Sequence, residues 1–403
     1  MKRPKHLWAP IAEENLRNPY PMYKRLRETE PVHRAQTGEW IITDFETTQS
    51  ILRDKRFLSG NRLKWLQRSI RLMKTKDIDL SEISDAMVSF LLMMNPPEHT
   101  ELRNVIIKAW NKTNINQFIE SSVDKALNDL DGLKEFDLVK DYAQVIPVKT
   151  MCHVLGLKDN DHQYLKELGN EILKTLDLYI SYKDLMRMNS GAKAFSTFFK
   201  NRIESLKRDK SSILYEIVKH CNENKIELSE KELISIAIFL FVAGVETSSS
   251  LIGTGLLNLC LYKDQLKILK ESKETFENAI NELLRYDASV QIVGRIASED
   301  VEIKGKRITK GSYLTLCLGA ANRDPNQFEK PDSLMLSRQK NKHLAFGYGI
   351  HYCLGDWLGQ LQGEIAIQKF IEKFPDYSIP QQEVRWNKNL AVRSLASLKV
   401  HPS

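Results

Sequence analysis

The residue whose surroundings are most distinctive for chemistry is Cys353, near the carboxyl end of the chain. Residues 346–355 read FGYGIHYCLG, and their three glycines permit tight turns and close approach of the backbone. Helical periodicity resumes at about 356, so the cysteine precedes a predicted helix N-terminus. Backbone N–H groups and the positive end of a helix both stabilise a thiolate. The pattern therefore predicts a thiolate that acts as a nucleophile or as a metal ligand.

Several kinds of site could use this cysteine. A lone cysteine is often only a small buried hydrophobic residue. Zinc would need further Cys or His ligands at short spacing, and only His351 is near. A covalent nucleophile would need a base and an oxyanion site, and the sequence identifies neither. A single cysteine can also be the protein ligand of a haem iron.

A second cluster lies in the most apolar stretch of the chain, Leu233 to Tyr262. Its single charged residue is Glu246, which Thr247 follows directly. Gly244 costs a helix about 1 kcal/mol relative to alanine, which suggests that space against the backbone is needed there. An acid in such a stretch is expected to be functional or paired. The alternative is a bent helix whose acid is hydrogen-bonded.

Two further pairs of residues are spaced to share one helix face. Glu282 and Arg285 are spaced to join one buried ion network. His99 and Arg103 are one helical turn apart, as donors for an acidic group of a cofactor would be. Both spacings are common by chance, and a solvated helix face is the alternative for His99 and Arg103.

The elements that would position these residues are mostly helical. Residues 32–43 alternate around Gln36-Thr37-Gly38 and predict a hairpin, and 290–318 predict a small sheet. The segment 319–355 is predicted to be long irregular chain, which is typical of a functional region. Helical periodicity recurs across about 22–28, 98–130, 140–175, 190–225, 229–262, 274–286 and 356–373.

The composition excludes several classes of protein. The 403 residues carry 59 basic and 52 acidic side chains, a net charge of +7, without a basic run typical of a nucleic-acid arm. The surface is interpreted as mixed and solvated; the alternative is one positive face for an acidic protein partner. Five scattered cysteines without CxxC pairs indicate neither a disulfide framework nor a zinc ribbon.

A membrane location is not expected. No apolar segment follows the basic N-terminus, so neither a secretory signal nor an anchor is predicted. Leu233–Tyr262 is long enough to span a bilayer, but it is solitary, contains Glu246 among serines and threonine, and follows a capping box at Ser229. We interpret it as a buried helix of a cytoplasmic protein.

Four motifs together resemble one family. Residues 346–355 resemble FGxGxHxCxG, the haem-binding signature of the cytochromes P450, with every fixed position filled. Residues 243–247 look like that family's oxygen-activation motif AGx[DE]T, 282–285 its ExxR pair, and 99–103 its HxxxR helix. The matches follow the family's order from about 18 to 400. Gln360 departs from the pattern, because the family usually has a basic residue there, which bears on partner docking.

The resemblance implies a fold class that is mainly α with small β-sheets (α+β). A long central helix would lie over haem b and the cysteine loop beneath it. One domain is expected over 1–403, with β-rich parts at about 30–60, 290–320 and 375–403. Its helical parts would be at about 85–290 and 356–373.

The resemblance also implies roles for individual residues. Cys353 would be the proximal iron ligand. In dioxygen activation Thr247 would hydrogen-bond the bound oxygen species, and Glu246 would relay protons directly or through water. Glu282, Arg285 and Arg338 would form an ion network that holds the cysteine loop. The substrate pocket would include Val290, Ile292, Val293 and Val392. The residues expected to bind the cofactor are His99, Arg103, Ala243, Gly244, Arg295, Phe346, His351, Cys353 and Gly355.

The implied activity is a haem-thiolate monooxygenase that inserts one atom of dioxygen into an organic substrate, by hydroxylation or epoxidation. A tailoring step in natural-product biosynthesis is expected. Alternatives are a fatty-acid hydroxylase, a peroxide-driven peroxygenase and a non-catalytic haem sensor. Electrons would come from NAD(P)H through a ferredoxin or flavodoxin and its reductase. A monomer acting on a small-to-medium apolar substrate is expected, with no nucleic acid and no membrane anchor.

Overall fold

The protein is described by a computed structural model over residues 7–60, 80–110, 115–158, 161–177, 180–271, 276–380 and 384–402. The chain forms two compact units. Unit 1 comprises Met1–Gly60, Val123–Ala143 and Thr247–Ser403, and unit 2 comprises Asn61–Ser122 and Gln144–Glu246. One domain over 1–403 stays a prediction.

Helices predominate in the described residues, and the strands are short, which confirms the predicted class. The α-helices, in chain order, are α1 (Glu13–Arg17), α2 (Tyr20–Thr29), α3 (Phe45–Arg53), α4 (Ser81–Ala86), α5 (Glu98–Ala109), α6 (Ile115–Asn128), α7 (Val145–Leu155), α8 (His162–Leu173), α9 (Tyr182–Lys200), α10 (Ile203–Leu206), α11 (Ile213–Glu223), α12 (Glu230–Leu261), α13 (Lys263–Glu271), α14 (Phe276–Tyr286), α15 (Leu318–Ala321) and α16 (Asp356–Lys373). The strands are β1 (Val32–Arg34), β2 (Trp40–Ile42), β3 (Phe57–Ser59), β4 (Phe136–Asp137), β5 (Ile292–Ala297), β6 (Val301–Ile303), β7 (Lys306–Ile308), β8 (Tyr313–Cys317), β9 (Val384–Trp386) and β10 (Leu395–Val400).

The strands form sheets, all of which lie in unit 1. The largest has the order β1-β2-β8-β5-β3, and its β1–β2 pair is the hairpin predicted at 32–43, with Gly38 at a φ of 95°. β2 and β8 are parallel, whereas β5 pairs antiparallel with both β8 and β3. Alternate side chains of these strands, such as Leu314 and Leu316, are fully buried and form a core with Ile42.

The prediction of one small sheet at 290–318 was wrong in its pairing. β6 and β7 form a separate two-stranded sheet around a turn at Lys304 and Gly305, whereas β5 and β8 join the amino-terminal hairpin. Alternation along a strand identifies the strand and its buried face. It carries no information about a partner that is distant in sequence.

Unit 2 is built from helices, and the long periodic stretches predicted from the sequence are divided among them. Within 140–175, for example, α7 ends at Leu155, and its C-cap, Gly156, has a left-handed φ of 75°. The N–H groups of Gly156 and Leu157 donate to carbonyls of the last turn, so these carbonyls have hydrogen-bond partners although the helix has ended. The apolar period continued across this break, so it did not reveal the end of the helix.

Helix α12 is the buried helix that the sequence predicted. Ser229 and Glu232 form its capping box, with each backbone N–H bonded to the other's side chain. The helix is long and apolar enough to cross a membrane, but 83% of its most apolar window is buried within the protein. It is apolar on all sides because protein covers it on nearly all sides.

Candidate active site

The cysteine loop is a compact turn held by its own backbone. The N–H of Cys353 donates to the carbonyl of Phe346 at 2.9 Å. Gly347 and Gly349 have φ values of 72° and 73°, in the left-handed region that favours glycine. At Gly349 a Cβ atom would come within 2.5 Å of the carbonyl oxygen of Leu52. The glycines are therefore required by conformation and by close contact.

The thiols of the chain differ in their surroundings. None of the five cysteines is in a disulfide. Burial raises the pKa of the thiols of Cys221, Cys260 and Cys317, which opposes thiolate formation. Cys260 and Cys353 are both partly exposed, but Cys353 lies just before Gly355, the N-cap of α16. Of these four cysteines, Cys353 has the surroundings that suit a metal-binding thiolate.

A fully buried ion network lies in the part of unit 1 that precedes the loop. Arg285 pairs with Glu282 through two parallel bonds of 2.8 Å, and Arg338 donates to the same carboxylate at 2.9 Å. The remaining N–H groups of Arg285 donate to the carbonyls of Asn322, Pro331 and Ser333. All five guanidinium donors are therefore used, which offsets the cost of burying the charges.

His343 connects this network to the loop, and sequence reasoning missed it. Its Nδ1 accepts from the N–H of Ala345 at 3.2 Å, so Nε2 carries the proton and donates to Asn281 at 3.1 Å. Loss of solvation and the charge of Arg285 lower the pKa of His343 to about 4. The neutral imidazole thus joins α14 to the residues before Phe346. A lone histidine in an irregular segment gave no signal for this role.

Ser59 has one neighbour in Arg295 on the adjacent strand and another in His351 of the cysteine loop. In the β3–β5 register Ser59 lies opposite Arg295, and its hydroxyl is 3.0 Å from Nε2 of His351. Arg295 is 6% exposed, and loss of solvation lowers the pKa of its guanidinium to about 10. Among the described residues no acid forms an ion pair with it. A buried guanidinium of this kind suits the carboxylate of a ligand.

In unit 2, His99 and Arg103 lie on α5, as predicted. His99 is 1% exposed. Burial and the charge of Arg103 both lower the pKa of His99. The lowered pKa keeps the imidazole of His99 neutral, so Arg103 supplies the positive charge that suits an anionic group, and His99 can add an N–H donor.

Helix α12 has one exposed strip in its middle. Between 233 and 259, Ala243 is exposed and Gly244 and Thr247 are partly exposed, whereas the other residues are buried. Glu246 is buried, at 6% exposure. All three residues of this strip, Ala243, Gly244 and Thr247, are therefore among those predicted to bind the cofactor or to act in catalysis. The structure also gives a reason for Gly244 other than ligand space, because a Cβ atom there would come within 2.5 Å of Sδ of Met151.

The predicted pocket residues of unit 1 lie on two adjacent segments. Val290 and Val392 face each other in an isolated antiparallel bridge. Ile292 and Val293 continue from this point as the first residues of β5, and Ile292 is buried.

Most of the chain matches one family of known proteins. The family model for cytochrome P450 matches residues 41–398. The chain belongs to the cytochrome P450 family. It is 31% identical to the polyketide biosynthesis cytochrome P450 PksS of Bacillus subtilis, over 98% of each chain. It is 32% identical to the biotin biosynthesis cytochrome P450 of the same organism, over 96% of this chain and 97% of the relative.

A solved structure agrees with these relatives. P450BioI, crystallised with hexadec-9Z-enoic acid ligated acyl carrier protein, is 30% identical and superposes with a TM-score of 0.89. The comparison covers 97% of this chain and 99% of that one. As a cytochrome P450 the protein is a haem-dependent monooxygenase, and the family implies redox partner proteins.

The residues present fit a haem. The family signature is complete around Cys353, and the buried Arg295 has no acid partner among the described residues. Ser59 is the register partner of Arg295 and is hydrogen-bonded to His351, and within unit 2 the charge of Arg103 acts on the neutral His99. Within each unit, such donors suit a carboxylate of the kind that haem carries.

Proposed function

We propose that Cys353 is the proximal thiolate ligand of haem b in this monooxygenase. The observation that carries the proposal is the loop itself, where the Cys353 N–H is bonded to Phe346 and two glycines have left-handed φ values. Thiolate ligation increases electron density on haem iron, and the bound haem supplies the chemistry that activates dioxygen. The loop's contribution is to hold the sulfur in one position beside the N-terminus of α16.

We propose that Arg295 and His351 bind one propionate of the haem and that His99 and Arg103 bind the other. Ser59 would orient His351 through its hydrogen bond. Phe346, Ala243, Gly244 and Gly355 would contact the macrocycle. The support is chemical, because each donor is partly or fully buried and an anion would compensate the local positive charge.

Glu246 and Thr247 would deliver protons during dioxygen activation. Thr247 is on the exposed strip of α12, where its hydroxyl can meet a ligand, and Glu246 is buried directly before it. A carboxylate and a hydroxyl in adjacent positions can pass a proton from one to the other, directly or through water. This pair favours an oxygen-dependent monooxygenase over a peroxygenase or a haem sensor.

Electrons would come from NAD(P)H through a ferredoxin or flavodoxin and its reductase. Lys108, Lys340 and Lys342 are exposed and join no ion pair within the described ranges. Exposed cations of this kind would attract an acidic partner, so reduction should slow as salt concentration rises. The protein would be a cytoplasmic monomer that binds neither nucleic acid nor membrane.

The substrate would be an apolar organic molecule that contacts Val290, Ile292, Val293 and Val392. The similarity to PksS supports a tailoring step in natural-product biosynthesis. The second candidate is hydroxylation of a fatty acid or fatty acyl group, which the similarity to the fatty-acyl-bound P450BioI favours. Spin-shift titration with palmitic acid and with an apolar macrolactone would separate these two substrate classes.

A reduced carbon monoxide difference spectrum tests the central proposal. The wild-type protein should give the spectrum of a thiolate-ligated haem, and Cys353→Ser should lose it. Cys260→Ser is the matched control, because Cys260 is also partly exposed and lies in unit 1. A thiolate spectrum that survives Cys353→Ser would refute the assignment.

A further inference from the structure

Ser289 forms a hydrogen bond with the backbone of the predicted catalytic turn. It lies in the connection between α14 and β5, and its hydroxyl donates to the carbonyl oxygen of Thr247 at 2.8 Å. Ser289 is 5% exposed, so water competes little for this bond. Both residues belong to unit 1.

The acceptor of this bond lies within a helix. In an α-helix the carbonyl of residue 247 faces the amide of Leu251. A second donor from outside draws such a carbonyl away from the helix axis and bends the helix locally. The bond therefore acts on the turn that carries Glu246 and Thr247, at the exposed strip of α12.

The backbone of Ser289 is held in turn by a short ladder, formed by residues 289–291 and 391–393. The N–H of Arg393 donates to the carbonyl of Ser289 at 2.8 Å, and the N–H of Gln291 donates to Ala391 at 2.9 Å. Val290 and Val392 are the pair between these bonds. The ladder thus presents two predicted substrate-contacting valines on the same backbone that presents Ser289.

A buried ion pair anchors this ladder. The side chain of Arg393 donates to Asp287 at 2.7 Å, and Tyr20 donates to the same carboxylate at 2.7 Å. The guanidinium of Arg393 also lies 3.5 Å from the centre of the Trp386 ring. Ser250, one turn beyond Thr247, donates to the carbonyl of Arg393 at 2.5 Å. The end of the ladder formed by Ser289 and Arg393 is therefore anchored and bonded twice to α12.

We propose that Ser289 is a positioning residue that holds the Thr247 turn in register with the ladder. Its hydrogen bond would fix the position of the segment predicted to deliver protons relative to the segment predicted to contact substrate. The proposal rests on the role assigned to Thr247 above. Ser289 itself would contact neither the cofactor nor the reacting atoms.

The first test uses carbon monoxide as a probe of the catalytic turn and needs no substrate. The infrared C–O stretching band of the reduced carbon monoxide complex should shift or split in Ser289→Ala and in Thr247→Ala. The matched control is Thr254→Val, which removes another buried hydroxyl of α12, bonded to Ser250 at 2.8 Å, without touching Thr247. Its band should coincide with that of the wild type.

The second readout is the yield of hydrogen peroxide per NADH consumed, with a ferredoxin, its reductase and palmitic acid. Ser289→Ala should raise this yield about fivefold, the factor that corresponds to one typical net hydrogen bond. If Ser289→Ala does not fold, Ser289→Cys, which is close in size and a weaker donor, should show the same direction of change.

An unchanged C–O band in a folded Ser289 variant would overturn the inference. If Thr247→Ala shifts the band and Ser289→Ala does not, the positioning role is wrong and the proposed function stands. If Cys353→Ser keeps a thiolate spectrum, the proposed function itself fails. The two failures are therefore distinguishable.

Discussion

The surroundings of the cysteine loop in unit 1 and the helical core of unit 2 are stabilised in different ways. Before the loop, Glu282 and Arg285 are 0% exposed, and each of the five guanidinium N–H groups has a hydrogen-bond acceptor. In unit 2, Phe195, Phe199 and Phe241 are also 0% exposed, but they meet through ring faces and edges. The first region depends on directional bonds and the second on apolar packing.

This difference has a consequence for function. A hydrogen-bonded charge network accepts one geometry, because a misplaced partner leaves a buried charge unsatisfied. Apolar side chains of similar volume can replace one another with little loss of stability. A ligand atom that must be placed accurately, such as the sulfur of Cys353, benefits from the first kind of support.

The largest effect is expected from Arg285→Lys, a conservative change in the hydrogen-bonded region. Lysine keeps the positive charge but cannot make the two parallel bonds to Glu282 or reach the three carbonyls. The free energy of unfolding should fall by about 3 kcal/mol, within the range for breaking a buried ion pair. Urea unfolding of the holoprotein, together with haem content per chain, measures the effect.

The matched control removes an exposed ion pair of unit 1. Lys267→Gln breaks the 3.9 Å pair with Glu271, in which both side chains are mostly exposed. Its cost should stay below about 0.5 kcal/mol, because water screens such pairs. Equal costs for the two substitutions would contradict the distinct role given to the network.

An acid-induced loss of stability should also originate in the hydrogen-bonded region, at His343. In the folded protein the pKa of this imidazole is about 4, whereas the pKa of histidine in an unfolded chain is about 6.5. Acidification from the higher to the lower value therefore protonates the unfolded state first. At about pH 5.5 the free energy of unfolding should have fallen by about 1 kcal/mol from this group alone.

The His343→Gln variant isolates this contribution from that of the carboxylates. Glutamine can accept from Ala345 or donate to Asn281 but does not titrate. The variant should be less stable than the wild type at neutral pH, and the difference should narrow as the pH falls towards about 5. Parallel pH dependences of the two proteins would show that His343 does not cause the loss.

Much of unit 1 and α12 could be predicted from the sequence, because its signals are local. The hairpin at 32–43, the capping box at Ser229 and the helix at 356–373 depend on turn residues, caps and periodicity within one segment. The motif around Cys353 is likewise contiguous. The ExxR spacing also placed Glu282 and Arg285 on one face of α14.

The rest could not be predicted, because it depends on contacts between distant segments. Nothing near His343 indicates that it joins Asn281 to Ala345, and nothing near Ser289 indicates a bond to Thr247. Gly244 was explained by space for a ligand, whereas the close approach of the Met151 side chain also favours a glycine. In unit 2 the apolar period continued through the helix end at Gly156.

Of the two regions compared, the apolar core is expected to show the smaller effect, as tested by Phe195→Met. Phe195 packs 5.5 Å from the ring of Phe199 and 5.7 Å from that of Phe241. Methionine is flexible and close enough in volume to refill this space, so the free energy of unfolding should fall by only about 1 kcal/mol. Haem content and the reduced carbon monoxide spectrum should not change. A loss as large as that of Arg285→Lys would show that the helical core is as exacting as the ion network, and the contrast between the two regions would then disappear.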